Sequence, residues 1–273
     1  MNMAIRTISK KINRNVSQVG FLYVAEGRIR NMFKWFWLIF SSAVADPFLY
    51  LISIGLGVGK LVNSNSTIDG VNYLTFLAPA LLASAAIQNT LDEIIFPTLQ
   101  GFKWTKSFYA MNSTPLTSKQ ISLGVYFSAL ARTTFTVVIY FFIMKLFGAI
   151  DTPHAWLAIF SSLFCAAGFA AFMFAMVSMT ENDDLFLMIV GRLIIMPLFL
   201  FSGTFFPLEN LPKPLQIVGW LSPLWHGTDL GRYLTYGHEL SSSKLLFHIF
   251  YILILLVIGL LWTFKNFERR LSK

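Results

Sequence analysis

The sequence predicts an all-α, polytopic membrane protein, and three observations predict it. Of 273 residues, 56% are hydrophobic and only 12% are charged, against about 25% charged in a soluble domain. The mean hydropathy is +0.64. Six mostly apolar windows recur, at 35–59, 71–91, 120–144, 155–180, 185–208 and 245–264. About 20 such residues suffice to cross the hydrocarbon core as a helix. The expectation is six transmembrane helices over 35–264, an N-terminal segment 1–34 and a short tail 265–273.

The segment before the first window has its own pattern. Leu22, Ala25, Ile29, Met32 and Phe36 recur at steps of three and four and share one helical face. This predicts an amphipathic helix lying in the inner membrane interface. The first apolar run is too long for a signal-peptide core and reads as a span that stays. An even number of spans puts both termini on one side. Seven Lys and Arg among the first 34 residues, and Lys265, Arg269, Arg270 and Lys273 in the tail, make that side the cytoplasm. The loop 92–119 is then cytoplasmic too, giving fourteen basic residues inside against five outside. The acidic run Glu181-Asn182-Asp183-Asp184 falls on the same side, but acidic residues weigh little in this rule. The net charge of +8 gathers beside apolar spans. It reads as a topology signal and a contact for anionic membrane lipids, not as a nucleic-acid surface.

Three charges lie within the windows. Asp46 in the first and Arg132 in the third sit at matching depths of roughly 16–18 Å from the cytoplasmic edge. That makes them candidate partners, in helix packing or in a pathway. Arg192, roughly 10 Å from the same edge, is close enough to snorkel.

Two connecting segments are unusual. In 92–119, Phe96-Pro97 is expected to end the second helix. Phe102, Trp104, Phe108, Tyr109 and Met111 then alternate with Lys103, Lys106 and Ser107. A short surface helix of this kind either docks a soluble partner, since aromatics and Met favour interfaces, or rests on lipid. In 208–240, apolar residues are interrupted by Pro212, Pro214 and Pro223, with Pro207 just before, and Trp225, His226, Asp229 and Arg232 follow. The segment is apolar enough to enter the membrane and too broken to cross it. Two short helices, near 211–221 and 225–236, are expected to enter the outer leaflet and return, and such segments line pathways.

Enzymatic motifs are lacking. The stretch 55–60, GLGVGK, has Ile54 and Leu61 where a phosphate loop needs Gly and Ser or Thr. It reads as small residues for close helix packing. His154, His226, His238 and His248 are scattered, and Cys165 is the only cysteine, so neither a metal site nor a cofactor is expected in this chain.

Several of these residues carry a resemblance. Phe201-Ser202-Gly203-Thr204-Phe205-Phe206-Pro207 with Leu211-Pro212, then Pro223-Leu224-Trp225-His226 and Asp229-Leu230-Gly231-Arg232, resembles the signature of ABC-2 permeases, the membrane subunits of one class of ABC exporter. Asp46-Pro47-Phe48-Leu49-Tyr50-Leu51 resembles that family's first span, and Tyr73-Leu74-Thr75-Phe76-Leu77-Ala78-Pro79 its second. Phe108-Tyr109-Ala110-Met111-Asn112-Ser113-Thr114-Pro115-Leu116 resembles its ATPase-coupling segment. The resemblance covers nearly all of 20–265. It is nearest to nodulation-type lipo-oligosaccharide exporters, with daunorubicin-type drug exporters close behind. It implies a homodimer in the cytoplasmic (inner) membrane, two separate ATPase subunits that bind the ATP, and coupling through Lys103, Trp104, Lys106, Phe108 and Tyr109. Drug efflux is the alternative within the family. Outside it stand a lipid-modifying membrane enzyme, which needs His, Asp or Glu clustered at one face, and a simple anchor, which needs no re-entrant segment.

The topology is testable with single cysteines at Asn65, Thr152 and Lys213 in a Cys165→Ala background. An impermeant thiol reagent should label all three from outside, and labelling only from the cytoplasmic side would overturn the orientation.

Overall fold

A computed structural model describes residues 19–63, 67–180 and 183–272. Arg6, Lys10, Lys11, Arg14, Asn65, Glu181, Asn182 and Lys273, used above for topology, lie outside the described residues. The described residues are helical, with one isolated bridge, Ile68 to Val71, and no strand. Among the described residues, five helices are long and apolar enough to cross a membrane: Phe36–Val62, Tyr73–Trp104, Ser118–Leu146, Leu157–Met179 and Ser242–Leu271.

Helix α1 (19–33) packs on the protein through a face slightly rotated from the expected one. Val24 and Ala25 are buried, whereas Leu22 is exposed. Gly124 opposite leaves room for this approach, since a Cβ there would sit 2.4 Å from that of Val24. A turn at 34–35 leads into α2 (Phe36–Tyr50), which widens into π-type turns over Leu51–Val58 and ends with Gly59–Asn63.

Helix α3 (Tyr73–Leu99) contains both Pro79 and Pro97 and continues as a π-type stretch, Gln100–Trp104. The expected stop at Pro97 therefore fails. Proline removes one backbone donor, but Thr98, Leu99 and Phe102 beyond it are buried against the fold, and that packing carries the helix onward. After α4 (Ser107–Asn112), α5 (Ser118–Leu146) opens on a capping box, with Thr117 and Gln120 each accepting the other's backbone N–H. Helix α6 (Leu157–Met179) follows.

The window 185–208 is where the structure departs from the sequence reading. Helix α7 (Asp183–Ile189, Val190–Ile195 and Met196–Phe201 in one run) has an apolar stretch, Leu185–Phe201, that is shorter than the other five. At 1.5 Å per residue it reaches about 25 Å, against a hydrocarbon core of about 30 Å. It stops because Gly203 adopts φ +71°, a left-handed turn that a side chain would strain. Two short helices, α8 (Lys213–Trp220) and α9 (Pro223–Tyr236), then precede α10 (Ser242–Leu271).

The core sits between α3, α6, α9 and α10. Small residues make the contacts. A Cβ on Gly259 of α10 would lie 2.4 Å from the Ala171 backbone carbonyl carbon and the Phe172 amide nitrogen of α6. One on Gly168 of α6 would lie 2.8 Å from the Ile252 carbonyl oxygen, and one on Gly227 of α9 would lie 2.6 Å from Cys165 Sγ. Cys165 is fully buried there, the packing role its position in a span suggests.

Gly259→Ala should therefore push two backbones apart and cost about 1–3 kcal/mol or more. Gly27→Ala, with nothing within 4 Å, should be neutral or gain up to about 1 kcal/mol from helix propensity. Thermal unfolding of the detergent-solubilised variants checks the contrast.

Candidate functional site

The proline-broken segment between α7 and α10 is held by polar groups turned inward. Pro207 begins the turn that carries Leu208–Asn210, and Pro223 sits at the first position of α9, where its missing N–H costs nothing. Ser202 and Ser222 share a hydrogen bond of 2.5 Å that pins the two ends of the intervening loop together. Arg232 is buried. It donates to the Gly203 carbonyl at 2.7 Å and the Phe76 carbonyl at 3.4 Å, and its guanidinium lies 3.7 Å from the Phe76 ring centre. His226 is buried and stacked on Tyr251, with ring centres 3.9 Å apart. Its Nε2 lies 3.1 Å from the Trp220 carbonyl, and its Nδ1 lies 2.7 Å from Nδ1 of His248. His248 Nε2 lies 3.1 Å from Asp229, which faces His238 at 3.7 Å; His238 in turn faces Asp69 at 3.2 Å. Trp225, half-buried, packs edge-on against both His226 and His248. In this conformation the pathway candidates Trp225, His226, Asp229 and Arg232 serve the internal packing of α9. The sequence reading treated the histidines as scattered; α9 and α10 bring two of them into contact.

The expected pairing of Asp46 with Arg132 is corrected. Arg132 bonds Glu93 on α3, and Glu93 also faces Arg28 of α1 at 3.7 Å. Arg28 completes its shell on Ser128 Oγ at 2.8 Å and the Glu93 carbonyl at 3.2 Å. Burial pulls its guanidinium down to about 10, still protonated at neutral pH. Glu93 was missed because the second apolar window stops at Leu91, whereas α3 runs past it. Asp46 instead lines a cavity of about 160 Å³ with Tyr50, Gln88, Asn89, Tyr140 and Phe199. Tyr140 lies eight residues beyond Arg132 on α5, about 12 Å along the axis. The two charges therefore miss each other by about two turns. Arg192 lies exposed on α7.

At the other end of the molecule, the segment expected to couple is partly core. Phe108 is only 2% exposed. It packs edge-on against Phe102 and lies 5.4 Å from Phe267 of α10, centre to centre. It also fills the space that a side chain at Gly101 would need. Phe108 as a surface anchor is thus corrected: it holds α4 to the ends of α3 and α10. Trp104 and Tyr109 remain exposed. Lys103 pairs with Asp183 at 2.6 Å, and Trp104 Nε1 donates to the same carboxylate at 3.3 Å. The acidic run that ran against the charge rule therefore supplies a partner for the basic loop. Lys106 has φ +53° and starts α4 from a left-handed turn.

A family model described as ABC-2 type transporter matches residues 20–236. The chain belongs to the ABC-2 type transporter family. Nodulation protein J of Rhizobium leguminosarum bv. viciae is 28% identical over 251 residues, 89% of this chain and 93% of the relative. Nodulation protein J of Rhizobium meliloti (strain 1021) is 26% identical over 224 residues, 81% of this chain and 84% of the relative. The capsule polysaccharide export inner-membrane protein BexB of Haemophilus influenzae is 28% identical over 143 residues, 51% of this chain and 52% of the relative. The family match spans both the α3–α4 corner and the proline-broken segment between α7 and α10.

Breaking the Glu93 cluster should leave two guanidinium groups half-buried without their counter-charge. Glu93→Gln should cost about 3 kcal/mol and lower the yield of folded protein. Arg132→Gln should do the same, and the two losses should not add. Asp46→Asn should leave stability near wild type, which denaturant titration of each variant checks.

Proposed function

We propose that this chain is the membrane-spanning permease subunit of an ATP-driven exporter that moves a lipo-oligosaccharide or polysaccharide out across the cytoplasmic membrane. The observation that carries the proposal is near-complete coverage of proteins named for nodulation, with partial coverage of one named for capsule polysaccharide export, inside a transporter family. In this reading α7, together with the turn after it, acts as a sixth, shortened span. Helices α8 and α9 are the re-entrant pair, α1 lies in the inner interface, and both termini are cytoplasmic. ATP is bound by a separate ATPase subunit.

A second copy of the chain fits the lateral surface. Asp46, Tyr50 and Gln88 are exposed side by side around one cavity, far from either end of α3. A carboxylate facing lipid at that depth costs at least a few kcal/mol. Covering it with a second copy, around a polar path, removes that cost. The same argument disfavours a lone anchor, which has no use for a polar flank.

Coupling falls to the exposed part of the α3–α4 corner. Trp104 and Tyr109 are the aromatic anchors, with Lys106 beside them. Lys103 is tied to Asp183 and so links the corner to α7, which carries any push on the corner toward the outer loop. Interface aromatics typically cost 2 kcal/mol or more on truncation. Trp104→Ala and Tyr109→Ala should weaken ATPase association at least about tenfold while the permease still inserts and folds. Phe108→Ala should instead unfold the corner and lower yield. Co-purification with the ATPase subunit and ATP-driven export in vesicles are the measurements. Wild-type association and export in both surface variants would leave the corner without a coupling role.

A further inference from the structure

The cavity beside Asp46 holds a group that the fold itself does not use. Tyr140 is one of the largest fully buried side chains, 1% exposed, and its hydroxyl has no hydrogen-bond partner among the described residues. Leaving a buried hydroxyl unsatisfied costs about 1–3 kcal/mol, and phenylalanine would fill the same space without that cost. Tyr140 lines a cavity of about 160 Å³, of the order of five waters by volume. Asp46, Tyr50, Ser84, Gln88, Asn89 and Phe199 line it as well. Asn89 Nδ2 already donates to the Ala85 carbonyl, so its Oδ1 is the atom left to accept.

We propose that this cavity is a binding site for the hydroxyl groups of the exported substrate's sugar head, with Tyr140 and Asp46 as the specificity-determining pair. The proposal rests on the exporter reading above. The donor and acceptor inventory selects the ligand class. Among the described residues no Lys, Arg or His lines the cavity, so an anionic head such as a phosphate meets only the repelling carboxylate of Asp46. An organic cation would satisfy Asp46 and the aromatic faces, but it would leave the phenol and amide N–H and O–H groups with nothing to donate to. A sugar hydroxyl both donates and accepts. It can give a hydrogen bond to Asp46 and receive one from Tyr140, while Tyr50 and Phe199 offer aromatic faces to the apolar side of a sugar ring. The position suits a pathway: the cavity joins α2, α3, α5 and α7, and both Asp46 and Gln88 open to the flank.

The test uses the full-length permease in lipid nanodiscs and three radiolabelled dodecyl amphiphiles below their micellar concentrations, headed by maltose, by trimethylammonium and by phosphate. Saturable binding of the maltoside is expected. Tyr140→Phe and Asp46→Asn should each weaken it about 3- to 10-fold. Tyr140→Phe should leave the melting temperature unchanged or raise it, because no internal hydrogen bond is lost. Three results overturn the proposal: maltoside binding indifferent to both substitutions; trimethylammonium binding that is the tighter and is lost with Asp46→Asn alone, which marks an organic-cation site; or a Tyr140→Phe variant that melts lower and binds as wild type, which marks a structural hydroxyl. The assay contains no ATPase subunit. A permease that binds the maltoside as expected but exports nothing with its ATPase sinks the exporter reading alone. One that exports glycan at wild-type rates with both residues changed sinks this site alone.

Discussion

Close backbone approach along α6 is the constraint on which the other helices depend. Lipid tails are as apolar as leucine, so burying apolar surface gives helices little reason to associate within the bilayer, and van der Waals packing must do it. Cys165, Ala166, Ala167, Gly168, Ala170 and Ala171 are small and buried. They admit α10 through Gly259 and α9 through Gly227 to distances at which one added carbon collides with backbone or sulfur. Polar contacts then fix the register. Tyr126 of α5 donates to the Ala167 carbonyl at 2.7 Å, Asn266 of α10 to the Ala175 carbonyl at 2.9 Å, and Arg270 to the Ser178 carbonyl at 2.7 Å. With α6 seated, α3 and α9 can lie against it, and the loop between α7 and α9 closes over Arg232.

That arrangement divides the charged groups into two kinds. Glu93, Arg28, Arg132, Asp183, Lys103 and Arg232 are each matched by an ion pair, a carbonyl or an aromatic face within the fold. Their role is to hold helices in register and to tie the loop corners to the helix ends. Asp46 is of the other kind. It borders a cavity with a carboxylate, two amides and two phenols, one of them buried without a partner. Thr98, Ser162, Thr204 and Thr228 also hold buried hydroxyls without a hydrogen-bond partner among the described residues; Tyr140 is set apart by standing with Asp46 at a cavity, which in the proposed reading a visiting group enters.

The fold class, the positions of five spans and the two interrupted segments were legible in the sequence because each is a local property. A run of apolar residues long enough for the bilayer, or a cluster of prolines that breaks one up, needs no knowledge of neighbours. The family signature was legible for the same reason, since it is carried by short contiguous words such as 201–207 and 223–226. What only the tertiary structure decided was which side chains meet. The partner of Arg132 depends on the axial offset between α2 and α5: at about two turns it takes Asp46 out of reach, and Glu93 of α3 meets Arg132 instead. The burial of Phe108 depends on where the end of α10 brings Phe267, a residue 159 positions later in the chain. The run of α3 through Pro97 depends on packing beyond the proline that local propensity does not contain. Periodicity records which face of a helix is apolar; it does not record how far that helix has slid against the next, and that displacement sets every charge pair and the cavity beside Asp46.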